Sequence, residues 1–418
     1  RRFGRDPVGM WLPETAVDDD TLDVLAEAGI AFTILAPHQI KNAPSSGVAG
    51  RYLTKGGRAI TILSYDGPLS HEVAFGPLIQ DANAWVERLL PADSTGPTLA
   101  AIATDGETYG HHHRFGDLAL AATIEGLNLR PAEVRLENFA SYLARHPAVD
   151  PVELVEPSAW SCSHGVERWR GDCGCRLVAT TSQAWRAPLR AATEWLAEEL
   201  HSIFDNEGRA HFPDPWAART AYANVGAPID VPIRGRELLE LERNALRIFT
   251  SCGWFFDDVA GIETIQILKY AARAIELAAP HQERLGEGFR SRLAAATSND
   301  PAKGTAADLF EAVARPAWPP HARVAAGFAA LASLCPERSE PTVGAFLVGS
   351  LGEDLVQTQH RRTGQIQRFA TMVHRTPEFG LEVELIQAED CRPLTLPLDA
   401  LPEREAGLAR EFLRREAL

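Results

Sequence analysis

Short apolar runs alternate with helical patterns in the first third of the chain. Four of these runs lack the hydrophobic–polar alternation of a half-exposed strand, at 8–12, 31–36, 58–63 and 98–103. Helical spacing of apolar positions appears at 21–28, 78–90 and 116–127. Unalternating strands separated by helices are typical of a parallel sheet that is covered on both faces. The pattern therefore predicts an α/β fold, with 42–55 as a loop and 134–139 as one more strand.

The pattern becomes helical from Pro188 onward. Apolar positions recur with helical spacing in four segments, 189–204, 237–250, 261–278 and 306–334, the last with a proline break. These segments predict a helical bundle. After Pro341 alternation returns, and 365–374 and 381–387 predict a β-hairpin around Thr376-Pro377-Glu378. The changes of pattern predict three domains, at 1–180, 181–340 and 341–418.

Acidic or imidazole side chains follow the predicted strands of the first domain. They are Glu14, His38, Asp66 and Asp105. Because the carboxyl ends of parallel strands share one edge of a sheet, we expect these side chains to meet there. If the last strand continues beyond Asp105, Glu107 points to the same side, since side chains alternate along a strand.

The stretch from Asp105 to His113 is rich in reactive side chains. It contains Asp105, Glu107 and three consecutive histidines, His111 to His113. Two carboxylates and three imidazoles so close together indicate a catalytic site or a metal site. The alternative is a solvated polar loop.

A second cluster lies between Trp160 and Cys175. Two pairs of soft ligands, Cys162 with His164 and Cys173 with Cys175, could hold a zinc ion. The spacing of one residue inside each pair departs from the usual two to four. Reduced cysteines in a loop that lines a ligand are therefore the favoured alternative.

Three aromatic residues precede two aspartates at 254–258. The rings, with Trp254 first, could stack on a sugar while Asp257 bonds its hydroxyls. Equally, Phe255 and Phe256 could belong to the core, with the aspartates capping the next helix. The sequence leaves both interpretations open.

The charge balance narrows the range of partners. The 418 residues carry a net charge of −15, with a pI near 5.4. This argues against nucleic acid or an anionic membrane and suits a neutral ligand such as a sugar. No apolar run reaches membrane-spanning length, and six cysteines fit a reducing compartment. We therefore expect a cytoplasmic protein that binds neither nucleic acid nor membrane.

Two of these motifs resemble those of glycoside hydrolase family 57. Gly9-Met-Trp11-Leu12-Pro13-Glu14 resembles the nucleophile motif of the family, in which Trp-Leu-x-Glu ends a barrel strand. Asp105-Gly-Glu107-Thr-Tyr-Gly110-His111 is similar to its acid/base motif, Asp-x-Glu followed by an aromatic residue and glycine. Ser251 to Asp258 is similar, more loosely, to its last motif. The arrangement resembles the branch that carries an additional C-terminal domain of unknown function.

The resemblance implies an incomplete (β/α)7-type barrel, followed by a helical bundle and a small β-containing C-terminal region. It implies a retaining enzyme of the α-amylase, 4-α-glucanotransferase or branching-enzyme kind, which acts on α-glucans without cofactor or metal. Glu14 would be the nucleophile and Asp105 the general acid/base. Glu107 would raise the pKa of Asp105 by like-charge repulsion. The family motifs that precede the nucleophile are not found before Arg1, so we expect the chain to lack the first barrel strands.

Further residues are candidates for binding the substrate. They are Trp11, His38, Asp66, Glu107, His111, His164, Trp254 and Asp257. Two other functions stay open. A metal-dependent hydrolase or deacetylase on a similar barrel would use Asp105 with His111 and His113. A non-catalytic carbohydrate-binding protein would keep the fold without the chemistry.

Overall fold

The structure is a computed structural model that describes residues 4–42, 49–90, 99–223, 231–314, 319–377, 380–389, 391 and 393–416. The chain divides into two compact units, Arg1–Cys175 and Arg176–Leu418, and each is described by itself. Parts of the predicted loop at 42–55 and of the helix at 306–334 lie outside the described residues, as do Thr98 and Glu378. The division into three domains stays a prediction.

The first unit contains a small sheet with helices around it. Its described strands are β1 (Gly9–Met10), β2 (Phe32–Leu35), β3 (Ala49–Leu53) and β4 (Ala59–Ser64). Its described helices are α1 (Asp19–Glu27), α2 (Gly67–Phe75), α3 (Ala82–Leu89), α4 (Gly116–Asn128) and α5 (Phe139–Arg145). The strand order is β1-β2-β4-β3, with β1, β2 and β4 parallel. This confirms the predicted parallel arrangement for these strands, while the full barrel stays a prediction.

Both faces of this sheet are covered, which explains the unalternating strands. All residues of β2 are buried. Leu35 and Ile62 face one cluster together with Leu22 of α1, and Ile34 and Leu63 face another. Burial on two faces requires apolar side chains at successive positions of a strand.

Three sequence-based assignments in this unit are wrong. Part of the predicted loop forms β3, which pairs antiparallel with β4 and covers the edge of the sheet. The described part of 98–103 is not a strand, because Ala101 O accepts from Asp66 N at 2.8 Å and Ala103 N donates to the Ser70 side chain at 3.0 Å. The run at 134–138 is also not a strand, since Asn138 caps α5 instead.

The second unit consists of helices followed by an antiparallel sheet. Its described helices are α6 (Arg186–Gly208), α7 (Pro215–Tyr222), α8 (Ile233–Arg247), α9 (Cys252–Phe255), α10 (Ile262–Leu277), α11 (Gln282–Leu293), α12 (Ala306–Leu309), α13 (Pro320–Leu334) and α14 (Glu403–Glu416). Its described strands are β5 (Thr342–Val343), β6 (Phe346–Ser350), β7 (Leu355–His360), β8 (Ile366–Thr376), β9 (Gly380–Gln387) and β10 (Pro393–Pro397). The predicted helical segments are thus confirmed in their described parts.

The C-terminal region is larger than the predicted hairpin. The hairpin exists as β8 and β9, but it belongs to a sheet with the order β10-β9-β8-β7-β6-β5 among the described strands. Alanines and Leu331 of α13 pack on this sheet against Phe369, Val383 and Leu385. The sequence hides β7 because two of its inward positions are the polar residues Thr358 and His360.

None of the helices in the described residues combines the length and the apolar character needed to cross a membrane.

Candidate active site

Glu14 lies in a tight turn beyond the end of β1. Pro13–Thr15 form one 3₁₀ turn, in which Thr15 N donates to Leu12 O at 2.9 Å. Glu14 and Thr15 have φ angles of 56° and 48°, in the left-handed region that residues other than glycine rarely adopt. Such a backbone persists only where the surrounding structure holds it.

The buried Gln39 holds this turn. Its Nε2 donates to Thr15 O at 2.8 Å and to Ser158 Oγ at 3.1 Å. Its Oε1 accepts from Thr15 Oγ1 at 2.7 Å and from Ala36 N at 3.0 Å. An amide side chain has two N–H donors and an oxygen with two lone pairs, so Gln39 is fully satisfied. It therefore ties the Glu14 turn to the end of β2 and to the segment at Ser158.

Two donors fix the Glu14 carboxylate. Trp160 Nε1 donates to Glu14 Oε2 at 3.1 Å, and Ser161 Oγ donates to the same oxygen at 3.0 Å. The backbone of Trp160 also donates to Glu14 O at 3.1 Å. The Trp160 ring packs edge-on against Trp11 and Tyr65, with centroids 5.2 and 6.4 Å away. The turn and the Trp160 segment thus orient one carboxylate from two sides.

Asp105 precedes a 3₁₀ turn, Gly106–Thr108, and not a continued strand. The prediction that Asp105 and Glu107 share a strand face is therefore wrong. Asp105 is exposed, so its desolvation is partial. That desolvation and the charges of Glu107 and Glu14 raise the pKa of Asp105, while His112 opposes them. Desolvation is the largest of these causes, and the Glu14 charge is the smallest of the three that raise the pKa.

His38 and Asp66 are engaged by the fold. Asp66 caps α2, because its carboxylate accepts from Leu69 N at 2.9 Å. His38 is exposed, and its Nε2 lies 3.1 Å from Ala159 O, next to Trp160 in the chain. Substrate contact by either side chain stays a prediction.

The histidine run is arranged differently from a metal site. His113 Nε2 lies 2.8 Å from Ala74 O, and the rings of His111 and His112 pack with centroids 5.3 Å apart. Within the described part of the chain, one group of three or more potential metal ligands is found. It lies at Cys162, His164, Cys173 and Cys175, and not at the histidine run. The geometry therefore does not favour a metal held by Asp105, His111 and His113. Contact of His111 or Glu107 with substrate stays a prediction.

An open cavity of about 400 Å³ is lined in part by residues that are close in sequence to Glu14 and Asp105. Its lining includes Trp11, Thr104, Tyr109 and Phe139. Thr104 Oγ1 donates to Tyr109 Oη at 2.8 Å, which fixes that ring at the cavity. Trp11 is 40% exposed. Exposed aromatic faces with a few fixed polar groups suit a sugar ring.

The cysteine segment folds so that its four predicted ligands meet. The ligand atoms of Cys162, His164, Cys173 and Cys175 lie within 4.8 Å of one another. His164 is exposed, and its Nδ1 lies 3.5 Å from Cys175 Sγ. The structure thus brings His164 to the cysteines, and its predicted contact with substrate stays a prediction.

Trp254 and Asp257 lie in the second unit. Trp254 is 1% exposed. The Asp257 carboxylate accepts from Leu177 N at 2.9 Å and from Val178 N at 2.6 Å, and these bonds hold its pKa low against the effect of burial. This favours the structural interpretation of Asp257, while sugar binding at 254–258 stays a prediction.

The residues that position Glu14 were missed in the sequence. Gln39 follows the predicted His38, and Trp160 and Ser161 open the cysteine segment. No local pattern reveals them, because each acts on a partner far along the chain.

Comparison with known proteins agrees with the resemblance of the motifs. Residues 1–153 match the family described as Glycosyl hydrolase family 57. Residues 182–228 and 232–376 match a family described as a domain of unknown function, DUF3536. The N-terminal region of the chain is therefore similar to glycoside hydrolase family 57, and the region after it is similar to that second domain.

Two amylases are among the similar proteins. An α-amylase from Pyrococcus horikoshii is 28% identical over 113 residues, which are 26% of this chain and 17% of that protein. The solved structure of an exo-type maltose-forming amylase from Pyrococcus sp. ST04 matches with a TM-score of 0.56 at 16% identity. It covers 70% of this chain and 60% of the amylase. The chain spans less than two thirds of either relative, and the structural likeness concerns the fold alone.

Proposed function

We propose that this chain is a retaining glycoside hydrolase or transglycosidase that acts on α-glucans, with Glu14 as nucleophile and Asp105 as acid/base. The family supports cleavage of glycosidic bonds, and the names of the two amylases support an α-glucan as substrate. The observation that carries the proposal is the cavity that Trp11, three residues before Glu14, lines together with Thr104, the residue before Asp105.

Glu14 suits the role of nucleophile because its carboxylate is held in one orientation. Both donors, Trp160 Nε1 and Ser161 Oγ, bind Oε2. This leaves Oε1 to attack the anomeric carbon of the sugar. The new bond from Oε1 forms as the glycosidic bond breaks, giving a glycosyl-enzyme ester.

Asp105 suits the role of acid and then base because its pKa is raised. In the first step it gives its proton to the departing glycosidic oxygen. In the second step its carboxylate takes a proton from the incoming hydroxyl, whose oxygen attacks the anomeric carbon and releases Glu14. Water as acceptor gives hydrolysis and a glucan hydroxyl gives transfer. Two inversions at one carbon give net retention.

The aromatic cavity supports a carbohydrate substrate. The exposed Trp11 and the fixed Tyr109 offer apolar faces beside the acid/base segment. Sugar rings carry apolar C–H faces and polar edges, so they need both ring faces and hydrogen-bonding groups. His38, Asp66, Glu107 and His111 supply polar groups on the loops of the same unit.

The proposal is tested with soluble malto-oligosaccharides and time-resolved proton NMR of the products. The first product released should have the α configuration. Glu14→Gln should abolish turnover, while Glu153→Gln, at an exposed ion pair with Lys41 in the same unit, should not change it. A β product would exclude the retaining mechanism. Binding of glucan without turnover by the unmodified chain would favour the carbohydrate-binding protein.

A further inference from the structure

The loop from Trp160 to Cys175, called here the cysteine loop, contains little regular structure. Within it the described backbone forms one 3₁₀ turn, Glu167–Trp169. Loops without a ladder of backbone hydrogen bonds need other contacts to offset the loss of conformational entropy. In this loop the cluster of Cys162, His164, Cys173 and Cys175 draws its two ends together.

Three of the six distances in this cluster match the edges of a zinc tetrahedron, and the four ligand atoms all lie within 4.8 Å of one another. Cys162 Sγ lies 4.0 Å from Cys173 Sγ and 3.9 Å from Cys175 Sγ. Cys175 Sγ lies 3.5 Å from His164 Nδ1. With Zn–S of about 2.3 Å and Zn–N of about 2.0–2.1 Å, tetrahedral edges are roughly 3.8 Å between sulfurs and 3.6 Å between sulfur and nitrogen. The sulfurs are much farther apart than the roughly 2.05 Å of a disulfide.

The backbone around the cluster is shaped for thiolate ligands. The backbone N–H of Cys175 points to the Cys173 sulfur, and that of Ser163 points to the Cys175 sulfur. Gly165 and Gly174, each directly after a ligand, have φ angles of 78° and 87°. A Cβ at Gly165 would also lie 2.8 Å from Pro157 O. Tight turns with N–H groups aimed at sulfur stabilise the negative charge that bound thiolates carry.

We propose that Cys162, His164, Cys173 and Cys175 bind one zinc ion at a structural site. Three thiolates and one imidazole complete a tetrahedral shell, and a closed shell of four protein ligands is typical of structural zinc, not of catalytic zinc. The His164 ring therefore binds metal, and the chemistry is left to the carboxylates.

The site has a consequence for Glu14, and this step rests on the proposed function. Cys162 directly follows Trp160 and Ser161, whose side chains donate to Glu14 Oε2. Arg168 of the same loop donates to Ser161 O at 3.0 Å and is 5% exposed. Because zinc fixes the loop next to these donors, the ion acts as a positioning element for the nucleophile.

The zinc content of the protein purified under reducing conditions tests the site itself. Elemental analysis should find about one zinc per chain, as a closed Cys₃His shell requires. Cys173→Ser and Cys162→Ser should lose the ion, whereas Cys252→Ser and Cys391→Ser, outside the cysteine loop, should retain it. Because the first two variants could fail to fold, zinc-edge X-ray absorption of the unmodified protein is measured as well. It should show three sulfurs at about 2.3 Å and one nitrogen at about 2.0 Å.

Several results would overturn the proposal. They are unmodified protein that takes up neither zinc nor cobalt, zinc that persists in Cys173→Ser, and an absorption spectrum with oxygen ligands. A disulfide within the loop under reducing conditions would overturn it too.

The effect of the zinc ion on Glu14 is measured separately. Metal-free protein should lose at least about 10-fold in kcat, with a smaller change in KM. A loss of this size is typical when groups that orient a functional residue are displaced. A full zinc shell with no glucan turnover would contradict the proposed function but not the site.

Discussion

Thr15 and Gln39 exchange two hydrogen bonds, one from Thr15 Oγ1 to Gln39 Oε1 at 2.7 Å and one from Gln39 Nε2 to Thr15 O at 2.8 Å. This exchange holds the left-handed turn that carries Glu14. Gln39→Leu leaves buried polar partners without bonds, each at a cost of about 1–3 kcal/mol. We expect the variant to be destabilised by about 3 kcal/mol in denaturant unfolding and to lose kcat more than substrate affinity.

A matched control separates stability from positioning in that experiment. Gln80→Leu changes an exposed glutamine in the same unit and should alter neither quantity. If Gln39→Leu lowers stability but leaves kcat at the unmodified value, Gln39 supports the fold without positioning the nucleophile.

Asp105→Ala tests the acid/base role through the leaving group. The loss should be roughly 10²–10⁴-fold on natural α-glucans, which need protonation of the departing oxygen. Substrates with an activated leaving group, such as an α-glucosyl fluoride, need little proton assistance and should react nearly as before in the first step. Equal losses on both kinds of substrate, measured as kcat/KM, would remove Asp105 from this role.

Glu107→Gln tests the electrostatic coupling at the site. The Glu107 charge raises the pKa of Asp105, so removing it lowers that pKa. Asp105 must be protonated for the first step, and activity falls as it loses its proton. The alkaline limb of kcat/KM against pH should therefore move to lower pH, while Glu125→Gln on exposed α4 should leave it in place. A limb that moves to higher pH contradicts the assignment of Asp105 as the acid.

A separate prediction concerns the stability of the second unit in acid. Burial, together with the Arg273 charge, lowers the pKa of His321 and of His360 to about 4, from 6.5. The unfolded chain thus binds protons before the folded unit does. The free energy of unfolding should fall as the pH drops from 6.5 to 4, by about 2–3 kcal/mol for each histidine, and change little from this source below 4.

Chemical unfolding at several pH values checks this prediction. His360→Gln should flatten the dependence between pH 6.5 and 4, and His374→Gln, at a partly exposed ion pair on β8, should not. Unchanged slopes in both variants would show that other groups control the acid transition.

The sequence could predict the parts of the fold that follow from local patterns. The strands that are buried on two faces, such as β2, are recognisable in the sequence as apolar runs. The long helices of the second unit are recognisable by the helical spacing of their apolar residues. Glu14 and Asp105 were singled out because each stands in a recognisable motif after an apolar run. Their catalytic roles stay proposals.

What the sequence could not predict depends on contacts between distant segments. The run before Asp105 looks like a strand, yet its backbone bonds to Asp66 and the Ser70 side chain in place of a ladder. The left-handed φ of Glu14 cannot be recognised in the sequence, because the residue is not glycine. The turn is held in this conformation by hydrogen bonds from the distant Gln39. Similarly, β7 alternates in burial but not in polarity, because Thr358 and His360 face inward.

The role of Glu14 as nucleophile is tested most directly by azide rescue of Glu14→Ala with an α-glucosyl fluoride as substrate. The small anion fits the space left by the carboxylate and attacks from the side that Glu14 occupied. A single displacement inverts the anomeric carbon, so NMR should identify a β-glucosyl azide and restored turnover. Asp105→Ala should instead give an α-glucosyl azide, since its glycosyl-enzyme ester still forms on Glu14. The β-azide from Asp105→Ala, or the α-azide from Glu14→Ala, would contradict the assignment of the two carboxylates.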